Sequence, residues 1–452
     1  MNIIVVGCGK VGTTIISILV NEGHDIIAID NNTSVVDEIT NIYDVMGICG
    51  NSTNCETLIE ANIEKAELFI SVTDSDELNM LSCFIAKRMG AKNTIARIRN
   101  LEYNDKSLGF MRQQLDLTVS VNPELLAARE IYNILKLPNA VNIEKFSGRN
   151  FEMVELILKP DSSLPGTILA DIKKKYNANF LICAVRRGNE VYIPDGEFEL
   201  KSGDRIALIA TPYEITKLFK MLGILQKQSK NVMILGASTT AYYLAKMLLA
   251  SGTSVTIIDK NRIRCEEITQ SLPNAVVICG DGTKQDLLAE ECINSVDAFV
   301  ALTGIDEENI LVSFFASSQN VPKVVAKANN NELASMAEKL GLECLVSPHK
   351  TVANIIVRYA RALKNSIGSN FESLYKIMDD KAEVLEFKVQ PEFKHIEIPL
   401  KNMRLKQDIL IAGIVRGRKT IIPSGDDIIL PGDSIIIFAA GHIINDLSDI
   451  IQ

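Results

Sequence analysis

Gly7, Gly9 and Gly12 stand in GCGKVG, between the apolar run IIVV and a segment of helical periodicity. Gly7 permits a tight turn, Gly9 lets a pyrophosphate approach the backbone, and Gly12 allows a helix to pack close on a strand. Cys8 shares that loop. A helix beginning at Lys10 and Val11 turns unpaired N–H groups and about half a positive charge toward a bound anion. Asp30 closes the next apolar run, IIAID, where a carboxylate takes ribose hydroxyls. Asn51 in GNST, Thr73 and Asp74 in TDSDELN, and Arg97 in TIARIRN follow at the ends of later apolar runs. Arg97 is expected to reach a phosphate. The chemistry is recognition of a nucleotide.

Asp30 bears on which nucleotide. A 2′-phosphate about 4 Å from its carboxylate costs about 4 kcal/mol at an effective dielectric near 20, so NADP is disfavoured. NAD+ and NADH fit, and so do ATP and ADP, which carry the same ribose and phosphates. A plainer reading of TDSDELN is helix capping. Thr73-x-x-Asp76 and Thr303-x-x-Asp306 resemble capping boxes, with Glu77 and Glu307 suited to the positive helix end.

Short apolar runs predict strands at 2–7, 25–30, 45–49, 67–72, 94–99 and 116–121, with helical patterns between them. One such helix, ELNMLSCFIAKRMG, is expected to share a face through Met80, Leu81, Phe84 and Ile85 before Gly90 ends it. The fold class is α/β, a Rossmann-like doubly wound parallel sheet. The second half replays the first. The differences 236 − 7 and 259 − 30 both give 229, and 280 − 50 and 303 − 73 both give 230, which marks a tandem duplication. The second copy carries Gly236, Ser238, Asp259, Asp281 and Thr303 at the corresponding places, with Ala241 for the last glycine and Lys327 for Arg97. Each sheet precedes a small α+β module whose short strands read FEMVELIL, FLICAVRR, EVYIP and RIALIA in the first copy. The expected layout is a Rossmann-like domain at 1–122, a connecting helix at 123–147, a small module at 148–224 and a linker at 225–231. The repeat then runs 232–347, 348–371 and 372–452.

A net charge of −9 over 452 residues argues against a nucleic-acid partner and against docking on an anionic membrane by charge. Nine cysteines in odd number, with no CxxC pair, read as free thiols of a reducing cytosol. No uncharged apolar run approaches the ~20 residues of a membrane helix.

The duplicated sheets, the TxxDExN stretches and the small modules together resemble the regulators of Trk-type potassium uptake, the tandem form of the RCK or KTN family. The resemblance covers essentially the whole chain. It implies a cytoplasmic protein at the inner face of the membrane that binds nicotinamide or adenine nucleotides. It also implies assembly on a membrane potassium transporter of Trk type as a homo-oligomer, a tetrameric ring. The nucleotide contacts it implies fall on Gly7 to Gly12, Asp30, Asn51, Thr73, Asp74 and Arg97. The competing class is an NAD-dependent oxidoreductase, for which Tyr132 with Lys136 and Tyr213 with Lys217 match a Tyr-x-x-x-Lys pattern. Neither pair sits on the long helix beside the sheet that such chemistry needs, so a binding protein without turnover is expected.

Overall fold

The computed structural model describes every residue except 101–102, 104, 138, 147–150, 161, 177–178, 224–228, 366–370, 379–380, 443 and 445. Residues 225–228 of the expected linker lie outside the described residues.

The first sheet is built from strands Asn2–Val6, Asp25–Asp30, Met46–Cys49, Leu68–Ser71, Thr94–Arg97 and Val119–Val121. Its spatial order is third, second, first, fourth, fifth, sixth, with every pairing parallel. Ile3 to Val6 and Leu68 to Ser71 are buried throughout, as strands covered by helices on both faces must be. The second sheet repeats that order with strands Asn231–Leu235, Ser254–Asp259, Val276–Cys279, Ala298–Ala301, Lys323–Lys327 and Leu345–Val346. The order reverses between the first and fourth strands, so the carboxyl edge there is the place for a ligand.

Each small module carries a five-stranded antiparallel sheet. Both sheets recruit a strand that the hydrophobic pattern did not announce. Asn142–Lys145 pairs with Glu152–Ile157, and Phe371–Ile377 pairs with Ala382–Lys388. The first connecting helix accordingly spans only Pro123–Lys136, short of residue 147, and Leu137 leaves it at φ −124° and ψ 79° ahead of Pro138. The two small sheets pack face to face through Phe151, Met153 and Ile209 on one side and Tyr375, Val384 and Phe438 on the other.

Helix Asp76–Arg88 corrects one expectation. Its inward face is Asn79, Met80, Cys83 and Ala86, whereas Leu81 is 49% exposed. Small side chains at Ser82, Cys83 and Ala86 let this helix lie close on the sheet beside Met80, and Leu81 turns outward.

The connecting helices cross between halves. Ala127, Ala128, Ile131 and Ile134 pack on the helix Thr239–Ala250 of the second copy through Ala241, Leu244 and Ala245. Val352, Ala353, Ile356 and Ala360 of helix Pro348–Asn365 pack on the first copy's helix Lys10–Asn21 through Ile15, Ile16 and Leu19. Alanines on the facing surfaces let the backbones approach. Near the crossing, Thr351 Oγ1 donates to Glu130 Oε2 at 2.9 Å. Burial pushes the Glu130 carboxyl up to about 7, and neighbouring Glu144 adds to the rise. Arg361, in the second connecting helix, binds Glu22 of the first copy and Glu383 of the second small module.

Candidate nucleotide site

In the first copy, the turn after the first strand needs glycine twice. Gly7 has φ +86°, and a Cβ there meets the Thr73 backbone nitrogen at 2.8 Å. A Cβ on Gly12 meets the Gly7 carbonyl oxygen at 1.9 Å, so the helix seats directly on the turn. Gly9 has open space where its Cβ would be, the direction from which a phosphate can approach. Gly9 also occupies the N-cap of helix Lys10–Asn21, and no side chain caps that end. The first N–H groups of the helix therefore have no intrahelical or capping partner. Val11 is buried, while Gly9 and Lys10 are exposed.

Asp30 holds the loop in place through both of its oxygens. Its Oδ2 accepts from the Cys8 backbone N–H at 2.8 Å and its Oδ1 from that of Asn32 at 3.0 Å. One carboxylate thus pins the glycine loop to the end of the second strand and leaves further lone pairs for a ligand. The Cys8 thiol points inward, and burial with nearby Asp30 pushes it up to about 12, so it is an inert packing group. Asn51 accepts from the Thr53 backbone N–H at 3.0 Å and hydroxyl at 2.9 Å, shaping the turn after the third strand.

The TDSDELN signature resolves into a clamp in place of the expected Thr73 capping box. Ser75 caps the following helix, accepting from the Leu78 N–H at 3.1 Å. Asn79, fully buried, accepts from the Thr73 N–H at 2.8 Å and hydroxyl at 2.7 Å, and donates to the carbonyls of Thr73 and Arg97. Asp76 accepts from the backbone N–H groups of Arg99 and Asn100, both at 2.7 Å. The fourth and fifth strands are thereby locked together at the ligand edge. Asn309 and Asp306 repeat the clamp on Thr303, Lys327, Asn329 and Asn330. This is why the signature appears twice: it holds each carboxyl edge in shape.

Arg97 is buried, 3.7 Å from the exposed Asp74 and 3.9 Å from Glu124. Burial, then Arg99, pulls its guanidinium below the ordinary value. Its Nε has no partner among the described residues. Arg97 opens into a cleft of about 250 Å³ between the two copies, lined also by Glu124, Ser238, Thr239, Arg264, Lys327 and His349. Burial, followed by Arg97 and Lys10, holds the His349 imidazole down at about 4. Burial also lowers Lys327, more than Asp306 and Glu124 restore it. The cleft is thus a cationic seam joining the first sheet edge to the second copy's loop. Glu124 and His349 enter it through the connecting helices, whose crossing between halves no local pattern signalled.

The second loop differs in the feature that matters for an anion. Gly236 keeps φ +98° against Leu302 and Thr303, and Asp259 pins Ala237 and Asn261 at 2.6 and 2.7 Å just as Asp30 does in the first copy. But Ser238 caps its own helix by accepting from the Ala241 N–H at 3.3 Å, spending a donor that Gly9 leaves open. Asp281 accepts from the Thr283 hydroxyl at 2.7 Å, which holds its carboxyl below the usual range. Tyr132 stacks its ring under Lys136 at 4.5 Å on the connecting helix, and Tyr213 is 73% exposed on the first small module. Neither lies at a sheet edge with the loops.

Residues 3–113 and 232–348 match the TrkA-N domain, and residues 153–223 and 384–452 match the TrkA-C domain. The chain is similar to a Trk system potassium uptake protein TrkA homolog of Archaeoglobus fulgidus, 31% identical over 452 residues and covering all of both chains. It is also similar to Trk system potassium uptake protein TrkA of Vibrio alginolyticus, 27% identical over 97% of this chain and 95% of the relative. Among solved structures, the GsuK RCK domain shares the fold at TM-score 0.64 and 17% identity, covering 97% of this chain and 92% of that one. The GsuK channel bound to NAD does so at TM-score 0.64 and 16% identity, over 97% and 77%. Two TrkA-N and two TrkA-C domains in alternation, with likeness along the full length, place this chain in the TrkA family of Trk-system potassium uptake proteins.

Proposed function

We propose that the chain is a nucleotide-sensing regulatory subunit that acts at the cytoplasmic face of a membrane potassium transporter of Trk type. It binds NAD+ or NADH, or ATP or ADP, chiefly in the first copy, and alters potassium flux according to what is bound. The observation that carries this reading is the uncapped helix at Gly9 beside the loop pinned by Asp30. Solved GsuK channel structures are bound to NAD and to ADP, which supports both classes of ligand. The contacts proposed are the backbone of Gly7 to Gly12 for phosphate, Asp30 and Asn51 on the ribose side, and Thr73, Asp74 and Arg97 at the sheet edge. No helix among the described residues is long and apolar enough to cross a membrane, so flux belongs to a partner.

The proposed domains are those of the expected layout, except that the first connecting helix ends at Lys136 and Asn142–Lys145 belongs to the first small module, with the crossed helices coupling the halves. Assembly into a ring of four chains is supported by apolar groups exposed at equivalent places of both copies. Leu81 and Leu311 hold equivalent places and are 49% and 68% exposed, and Leu340 of the second copy is 67% exposed. A patch repeated with the fold is what a closed ring of copied units requires. The double variant Leu311→Glu with Leu340→Glu is expected to lower the mass seen by light scattering at micromolar concentration, with the helical signal in circular dichroism unchanged. An unaltered mass would put the interface elsewhere.

A ring switches only if ligand binds one shape more tightly than another. Moving a 1:99 balance to 99:1 takes ~5.5 kcal/mol; spread over the eight units of a tetramer, that is about 0.7 kcal/mol per site. Potassium flux into vesicles holding a Trk-type transporter and this protein is expected to change severalfold between nucleotide-free and nucleotide-loaded states. Flux indifferent to all four nucleotides contradicts the reading.

A further inference from the structure

We propose that Cys265 and Cys279 form a reversible dithiol–disulfide site on the ribose side of the second copy, through which a hydroperoxide weakens nucleotide binding there. The consequence for binding rests on the function proposed above; the disulfide itself does not.

Cys279 ends the third strand of the second sheet and is exposed. It lies two residues beyond Val277, on the same face of the strand, and Val277 packs in one cluster with Ile268 of helix Arg262–Ser271. Cys265 sits in that helix and is buried. Its Sγ lies 3.3 Å from the carbonyl oxygen of Asp259 and 3.9 Å from that of Ile278. Asp259 is the strand partner of Cys279, and Ile278 is its covalent neighbour. Two thiols thus converge beside the carboxylate that pins the second loop. Burial raises the Cys265 thiol to about 11 and the Cys279 thiol adds to the rise, so Cys265 stays protonated and does not react first.

The chemistry follows from that asymmetry. The exposed Cys279, as thiolate, attacks a peroxide oxygen; the O–O bond breaks, a sulfenic acid forms and the departing oxygen leaves as water or alcohol. The Cys265 sulfur then attacks the Cys279 sulfur. An S–S bond forms, the S–O bond breaks, and hydroxide leaves as water with the Cys265 proton. Two thiols are oxidised and one peroxide is reduced. The new bond ties the start of the helix, next to Asn261, to the end of the strand that continues into Gly280 and Asp281. Asn261 and Asp281 flank Asp259, so the ribose edge is re-set.

The first copy supplies its own control. Cys49 corresponds to Cys279, but Val36 stands where Cys265 does, and the Cys49 thiol faces the Thr33 hydroxyl at 3.2 Å. Only the second copy can close this bond.

The test uses the full chain carrying Asp30→Ala, so that nucleotide binding reports the second copy. After treatment with hydrogen peroxide, peptide mass mapping is expected to show a 265–279 crosslink two hydrogens lighter than the reduced pair, reversed by dithiothreitol. NADH and ADP affinities measured by calorimetry are expected to fall at least fivefold on oxidation. Cys265→Val, which copies the first unit, is expected to bind like its reduced parent and to ignore peroxide. Absence of the crosslinked peptide overturns the proposal, as does an oxidised protein with undiminished affinity. A reduced protein that binds neither nucleotide removes the second copy from the binding function and overturns the regulatory claim, whatever the peptide map shows.

Discussion

Arg361→Met is expected to destabilise the chain by about 3–5 kcal/mol, the cost of leaving buried carboxylates without their cation. Arg361 is only 4% exposed. Its Nε and Nη2 grip both oxygens of Glu22 at 2.6 and 2.5 Å, and Nη1 and Nη2 grip Glu383 at 3.0 Å each. Lys376 stands 3.5 Å from Glu22 and is the remaining cation of the cluster. Methionine preserves most of the volume and removes the charge, so the effect reads electrostatics more than packing. Glu22 is the C-cap of the first copy's opening helix, and Glu383 belongs to the second small module. The loss should therefore loosen the two ends of the chain from each other.

The pH dependence has a definite sign. Burial alone raises the Glu22 carboxyl, but Arg361 and Lys376 outweigh it and hold it below its usual value of 4.5. A depressed acid contributes stability above its unfolded pKa, and that contribution is lost as pH falls through the folded one. Wild type should hold this contribution at neutral pH and lose it below about pH 4.5. Arg361→Met should show no such contribution. Urea unfolding at pH 7 and pH 4 checks both. Adding Glu22→Gln and Glu383→Gln to Arg361→Met should restore much of the loss, because no buried charge is then left unpaired. A loss under 1 kcal/mol at pH 7 would mean the cluster is solvated.

Asp30→Ala is expected to weaken nucleotide binding at least tenfold. The substitution removes the acceptor for ribose hydroxyls and also orphans the Cys8 N–H, which is held at 2.8 Å. The orphaned Cys8 N–H costs stability in free and bound protein alike; the loss of affinity comes from bound ribose hydroxyls left unpaired, at about 1–3 kcal/mol, or roughly five- to 150-fold in an equilibrium constant. Asp30→Asn keeps an acceptor for Cys8 without the charge, and should fall between wild type and alanine. Asp259→Ala should reduce the total binding less, because Ser238 already caps the second helix. Calorimetric titration of the three variants decides the order, and equal losses at both positions would make the two copies equivalent sites.

The sheets were legible because most of their strands are short apolar runs, the first three closed by glycine or a carboxylate. GCGKVG and Asp30 were legible because their geometry is local. The roles of Asn79 and Asp76 were not, since a side chain that reaches from a helix to the next strand looks like a cap in one dimension. Leu81 misled for a related reason: the buried face of this helix runs through Asn79, Met80, Cys83 and Ala86, small residues completing it where Leu81 was expected. The connecting helices at 123 and 348 were expected, but their crossing was invisible. Their apolar stripes show that they pack, but only the fold shows that each packs on the other half, and Glu124 and His349 reach the cleft by that crossing alone. The strand Asn142–Lys145 was missed because a four-residue edge strand carries little alternation, and Phe371–Ile377 because FESLYKI does not alternate strictly.

The central claim is that this chain recognises a nucleotide with an unphosphorylated ribose at the loop pinned by Asp30. Its most direct test is calorimetric titration of the full-length wild-type protein with NAD+, NADH, ATP and ADP, each against NADP+. Binding of at least one of the four, at least tenfold tighter than NADP+, is the result expected; binding of none, or of NADP+ equally well, would contradict the account.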